Sequence, residues 1–417
     1  MKRRVLALLL AIIALLLSGC GSKAVLTHNI ERVDISLSWW GNDPRNEYTL
    51  AAVKEFEKLH PEINIVCHYS DWSGYQKRSD AQMASNTESD VMQINYAWIQ
   101  QYSPNGDEYY DINKLSEYID LSNFAPEELD FGMQNGSLNA IPIALNTQTM
   151  YINKTVYENY GLDIPETWDD LFAAAKVMNG EAYPMSMVAK SLWFFATAYT
   201  EQQTGKQFMN LDGSINFTPE DLQVMIDFYC QLVNEKVIPQ TEYYDNLKLG
   251  TGEYAGEIAW VSDANNHWGK AIENGFEIIV ANYPANVPDE SASGWYAKPA
   301  TMYAISHDTE YPEESAMLLD FLLNSEEMAK LQGVEKGVPV SAAARKCLEE
   351  NDMLNGLQYE AFLKMNEFTE KIAVVSPFFE NDNMIEAYRS ACNAVLYEKS
   401  SVEEQAEALY ETILKII

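Results

Sequence analysis

The sequence predicts an α/β fold built from strand–helix repeats around a mostly parallel sheet. Three observations lead there. Short runs alternate apolar and polar residues. Each run gives way to apolar residues at helical spacing. Turn or capping residues punctuate the two patterns. Strands that alternate with helices read as crossover units, and crossover helices cover both faces of a parallel sheet.

The elements follow in order. Val33, Ile35, Leu37 and Trp39 alternate with Asp34, Ser36 and Ser38, a strand period. Gly41-Asn42-Asp43-Pro44 is a turn. Leu50, Val53, Phe56 and Leu59 then share a helical face, stopped by Pro61. Ile63, Ile65, Cys67 and Tyr69 form a second strand, residues 75–85 a helix, and Val91, Met92 and Ile94 a third strand. Thr167 before Asp169-Asp170 reads as a capping box. So does Thr218-Pro219-Glu220-Asp221, with proline in the first turn. Further strands are expected at 257–261, 276–280 and 301–305, and helices at 312–324 and 326–332. Ser401 caps a last helix. A chain of 417 residues is more than one hydrophobic core usually spans.

The N-terminus has its own logic. Lys2, Arg3 and Arg4 precede an unbroken apolar run, Val5 to Leu17, and then small residues. A bilayer span needs about 18 apolar residues or more, so this run reads as a secretory signal over 1–19. Leu17-Ser18-Gly19-Cys20 resembles a bacterial lipobox. The resemblance implies that Cys20 becomes a diacylated mature N-terminus on the extracytoplasmic face of the cell membrane, followed by a tether over 20–30. Two acyl chains suffice for stable anchoring.

The formal net charge is -34, a surface that repels nucleic acid. Cys67, Cys230, Cys347 and Cys392 are widely spaced and read as buried free thiols. No P-loop, GxSxG elbow or zinc-spaced Cys or His set occurs, so neither cofactor nor metal is expected.

Aromatics mark the candidate site. The first strand ends at Trp39 and Trp40, the second at Asp71 and Trp72, and the third at Asn95, Tyr96 and Trp98. Ligands of open parallel sheets bind at the carboxyl ends of the strands. Rings beside hydrogen-bonding groups suit a sugar, whose C–H face stacks while its hydroxyls pair. Trp193, Asp263, Trp268, Trp295 and Tyr296 are later candidates. Arg45, just past the first strand, is a hydroxyl donor or a helix-start contact.

Several segments together resemble the extracellular solute-binding proteins of family 1, the carbohydrate receptors of ABC importers. They are Ser38-Trp39-Trp40-Gly41, Phe56-Glu57-Lys58-Leu59-His60-Pro61-Glu62-Ile63, Asp90-Val91-Met92-Gln93, Ile141-Pro142 leading to Tyr151-Ile152-Asn153-Lys154, Pro165-Glu166-Thr167-Trp168-Asp169-Asp170-Leu171, Phe321-Leu322-Leu323-Asn324-Ser325-Glu326-Glu327 and Gly337-Val338-Pro339-Val340-Ser341. The resemblance implies a periplasmic-binding-protein (Venus flytrap) architecture, with two α/β lobes and a multi-strand hinge. One lobe takes 30–141 with 299–340, and the other 142–298 with 341–417. It also implies a carbohydrate ligand, ABC permease partners, a monomer and no enzymatic activity. Asn146 stands where maltose-binding protein carries a cleft carboxylate, a departure that argues against maltose. Capture of a peptide or polyamine, and a secreted glycosidase using two of the many carboxylates, are the rival readings.

Overall fold

The computed structural model describes residues 32–286, 294–367 and 373–417. The expected signal, tether and Cys20 lie outside the described residues. Among these, no helix is long and apolar enough to cross a membrane.

Strands β1 (Val33–Trp40), β2 (Ile63–Ser70) and β3 (Val91–Ile94) pair in parallel, with β1 between the others. Their crossovers are α1 (Asp43–Leu59) and α2 (Trp72–Met83). The Asn42 side chain caps α1, Pro44 lies in its first turn, and Thr49, Ala52, Val53 and Phe56 are buried at helical spacing. Asp71 caps α2 by accepting from the Gly74 N–H at 2.8 Å. A short helix α3 (Ala97–Tyr102) follows β3.

Two long strands carry the chain onward. β4 (Ala140–Asn153) pairs through residues 140–147 with β7 (Tyr296–Ile305). Through residues 148–153 it pairs with β5 (Gly256–Trp260) on one edge and β6 (Ile278–Ala281) on the other. β7 in turn pairs with β3 through 302–305 and with a two-residue strand β8 (Ala373–Val374) through Tyr296 and Ala297. The path is β2-β1-β3-β7-β4-β5, so a single strand, β4, belongs to the sheets of both lobes. Its burial is nearly continuous, which leaves no alternation to read in the sequence. The strand expected at 301–305 is the second half of β7 for a related reason.

Each lobe has its own core. Ile35, Leu37, Phe56, Ile63, Ile141, Ile143, Tyr303 and Leu319 pack in the first. Met150, Ile152, Leu171, Trp193, Leu222, Ile226, Trp295, Tyr388 and Leu409 pack in the second. The change of core falls between Ile143 and Met150 on β4 and between Tyr296 and Met302 on β7, a span of strand rather than a point. The first lobe's outer helices are α8 (Pro312–Asn324) and α9 (Glu326–Gln332). In the second lobe, α4 (Trp168–Met178), α5 (Ala189–Thr204) and α6 (Pro219–Asn234) join α10 (Asp382–Leu396) and α11 (Val402–Ile416). Helix α7 (Ala264–Glu273) follows β5. Thr167, Thr218 and Ser401 cap α4, α6 and α11 as the sequence predicts. All four cysteines of the described chain are free. Cys230, Cys347 and Cys392 are buried and Cys67 is half-buried.

Candidate functional site: the cleft between the lobes

Period two decides the fate of the first tryptophan pair. Successive side chains of β1 point to opposite faces of the sheet. Ile35, Leu37 and Trp39 go into the core against α1, where Trp39 stacks on Tyr69 at 4.8 Å and donates from Nε1 to Asn46 Oδ1 at 3.0 Å. Trp40 lies on the other face, at the carboxyl end of β1, and meets the Trp72 ring edge-on at 4.9 Å. Trp72 in turn stacks on Trp98, with centroids 5.7 Å apart and planes 15° apart, and Tyr75 lies under Trp98. The Tyr75 hydroxyl donates to the Gln93 carbonyl at 2.7 Å, which ties this cluster to β3. Trp98 is buried, whereas Trp72 is 40% exposed, so the patch presents one indole to solvent on a packed aromatic base.

This patch walls two adjoining cavities that share Trp72 and Asn95. The first, about 270 Å³, is bounded by Trp40, Arg45, Asn146, Ser262, Thr301, Glu335 and Lys336. The second, about 530 Å³, extends past Tyr96 and Gln101 to Lys298, Ser376, Phe378, Glu380 and Asn383 of the other lobe. Residues of both lobes and of the two hinge strands therefore face one hollow.

The polar groups around it are placed by the backbone. Asn95 Oδ1 accepts from the Ala97 N–H at 3.0 Å at the start of α3. Tyr96 opens α3, packs on Phe131 at 6.0 Å, and burial pushes its phenol up to about 12. Asn146, on β4, holds Ser262 through two bonds, donating to its Oγ at 3.0 Å and accepting from its N–H at 3.2 Å. Arg45 donates to the Glu335 carbonyl at 3.2 Å and pairs with its carboxylate at 3.4 Å. Lys298 lies over the Trp260 ring at 4.5 Å and pairs with Glu380, which Lys190 also meets at 3.6 Å. Burial pulls the Lys298 ammonium below its ordinary value.

Glu335 and Lys336, in the loop before residue 341, join the site although no sequence pattern marks them. Val340 N–H bonds the Ile143 carbonyl at 3.1 Å, and Pro339 bridges to Ala144, so this loop lies against the irregular stretch of β4. Gly337 makes the approach feasible. Its φ is +102°, and a Cβ there would stand 2.8 Å from that of Ala144. The turn sets Glu335 and Lys336 into the floor of the first cavity. The only sequence signal was the Gly337-to-Ser341 segment itself.

Other expected site residues lie elsewhere. Trp193 is fully buried in the second lobe's core, donating to the Phe379 carbonyl at 3.0 Å. Trp268 packs behind β4 against Tyr151, and Trp295 against Tyr283 and Phe195. Tyr296 is buried and donates its hydroxyl to Glu201. Together with Trp39, these five are corrections: each ring is sealed in a core, because it faces the interior of its lobe. Asp71 is spent on the α2 cap and borders neither cavity. Asp263 borders neither cavity and sits at the start of α7 near His267. Burial raises its carboxyl above the ordinary range.

The described residues hold no cluster of carboxylates, thiols or imidazoles arranged to ligate a metal. A hollow between the lobes with one bare indole, amides and charges from both halves is a geometry suited to holding a ligand. The model of the bacterial extracellular solute-binding proteins matches residues 51–352. This chain belongs to that family. Among solved structures, it is similar to a periplasmic solute-binding protein of Pectobacterium atrosepticum, at 29% identity over 92% of this chain and 98% of that one, with TM-score 0.83. It is similar to a periplasmic oligogalacturonide-binding protein of Yersinia enterocolitica, at 30% identity over 92% and 99%, with TM-score 0.79. A de novo designed cysteine esterase shares the fold at 31% identity over 93% and 98%, with TM-score 0.84. The fold is thus the two-lobed one of periplasmic binding proteins, with β4 and β7 as the hinge strands.

Proposed function

We propose that this solute-binding protein captures an oligosaccharide between its lobes and delivers it to the permease of an ABC importer. The observation that carries the reading is the exposed Trp72 face, stacked on Trp98 and flanked by Trp40, opposite polar groups of the hinge. A sugar ring offers an apolar C–H face to the indole, while Asn95, Asn146 and Thr301 are within the same hollow for its hydroxyls. The similar Yersinia protein is named for oligogalacturonide binding, which supports a glycan over a peptide or polyamine.

Ligand first meets one lobe, and rotation about β4 and β7 then buries it against the other. Closure is favoured by the ligand's differential affinity for the closed form. The lobes divide within β4, between Ile143 and Met150, and within β7, between Tyr296 and Met302. The third division, expected at 340/341, falls later, because the helix Ala342–Glu350 packs on α9 of the first lobe. The chain works as a monomer, held at the extracytoplasmic face of the membrane by acylated Cys20, and turns over no substrate.

A thermal-shift screen against oligosaccharides tests this. A glycan at 100 times its Kd stabilises by about 2.7 kcal/mol. A matched ligand should raise the midpoint and be recovered uncleaved. Release of shortened products would instead favour a glycosidase. Cys20→Ser should shed the protein from membranes into the medium, and its retention there would refute the anchor.

A further inference from the structure

The first cavity contains a cation without a counter-charge. Lys336 is 3% exposed, yet its Nζ meets only neutral partners, Gln93 Oε1 at 2.9 Å and the Tyr303 hydroxyl at 3.1 Å. No carboxylate among the described residues pairs with it. The nearest acid in sequence, Glu335, pairs with Arg45. The surroundings are also under-satisfied. Gln93 Nε2 and Thr301 Oγ1 have no hydrogen-bond partner among the described residues. In a chain of net charge -34, a buried, unpaired ammonium is conspicuous. Burying such a charge without a partner is strongly unfavourable.

We propose that the ligand is an acidic oligosaccharide, and that Lys336, with Arg45 beside it, receives the carboxylate of a uronate ring whose apolar face lies toward Trp72. This rests on the sugar-capture reading and names the class of sugar. The ring carboxylate supplies the missing charge. Thr301 Oγ1, which lines the same cavity, supplies the next donor, and Gln93 Oε1 holds the Lys336 ammonium from behind. A polyamine, by contrast, meets like charge there.

Proton linkage gives the proposal a signature. Burial, and secondarily the charge of Arg45, lowers the Lys336 ammonium to about 7. The groups facing it are Arg45, Tyr48, Tyr303 and Glu335. The two phenols are held neutral by burial, pushed well above their ordinary value. A bound carboxylate favours the charged lysine and raises its value. Binding therefore takes up as much as one proton above pH 7, and affinity falls as pH rises beyond that point.

Calorimetric titration of the full chain tests this, with trigalacturonate and the neutral trimer maltotriose as probes. Trigalacturonate is expected to bind at least tenfold tighter than the neutral trimer. Its apparent enthalpy at pH 8 should differ between phosphate and Tris, which reports the proton uptake without any mutation. Lys336→Met should weaken trigalacturonate tenfold or more and abolish the buffer dependence. A neutral trimer bound as tightly as the uronate, or a buffer-independent enthalpy, overturns the inference while leaving sugar capture standing. No binding of either trimer, with none from any glycan in the thermal screen, removes both.

Discussion

Trp39 aside, the tryptophans expected at the site divide by lobe. In the first lobe, Trp40, Trp72 and Trp98 come from the carboxyl ends of three neighbouring parallel strands and stack into one patch at the cleft. In the second, Trp193, Trp268 and Trp295 lie in separate interior positions, each closed off by aromatic neighbours. Residue type is the same. Position on the sheet differs. Strand ends of a parallel sheet open onto a crevice by topology. A ring on the inward face of a helix has nowhere to go but the core. Aromatic content alone therefore says little about a site, and aromatic content at consecutive strand ends says much.

The contrast can be broken by substitution. Trp193→Ala should show the largest effect: a loss of about 3–5 kcal/mol in unfolding free energy, as for other buried large-to-small changes. Denaturant unfolding measures it. A stability loss under 1 kcal/mol would mean that the ring is not sealed as described.

The second lobe's interior also holds a carboxyl, and pH sharpens the difference. Burial raises Glu201 from 4.5 to about 7, against the opposing hydrogen bonds from Tyr296 and the Phe208 N–H. The folded state thus holds the proton more tightly than the unfolded chain does. Its contribution is full below about pH 4.5 and is lost as pH rises through about 7. Unfolding measured across that window should show wild type losing on the order of 3 kcal/mol relative to Glu201→Gln. Parallel pH curves for the two proteins would refute the assignment.

Trp72→Ala inverts the pattern. Its ring is half in water, so stability should change by about 1 kcal/mol or less, while sugar affinity falls by about 2 kcal/mol, or ~30-fold. Calorimetry reads the affinity. Unchanged binding would detach the patch from the ligand. Asp71→Ala is the smallest. Losing the α2 cap should cost about 1 kcal/mol of stability and leave sugar affinity within twofold. A tenfold weaker complex would show that Asp71 touches ligand.

How much of this was readable in advance follows from the physics of each segment. Strands β1 and β2 alternate visibly, because polar residues occupy part of their pattern, and β3 reads as a short apolar run after them. Their ends could therefore be found, and with them Trp40, Trp72 and Trp98. The Trp39–Trp40 pair could not be resolved without knowing which sheet face α1 covers. β4 is buried almost throughout, so periodicity is silent about it and about the hinge it builds. Lys336 sits in a turn with no period. Its meaning comes from the approach of Gly337 to Ala144, which only tertiary structure supplies.

A crystal structure of the protein grown with trigalacturonate tests the central claim most directly. The account predicts closed lobes, a sugar ring lying over the Trp72 indole, and a ring carboxylate within hydrogen-bond distance of Lys336 Nζ. Trigalacturonate seated instead in the second lobe's own hollow, beside Tyr243, Tyr254 and Tyr397, with Trp72 still facing water, would contradict it.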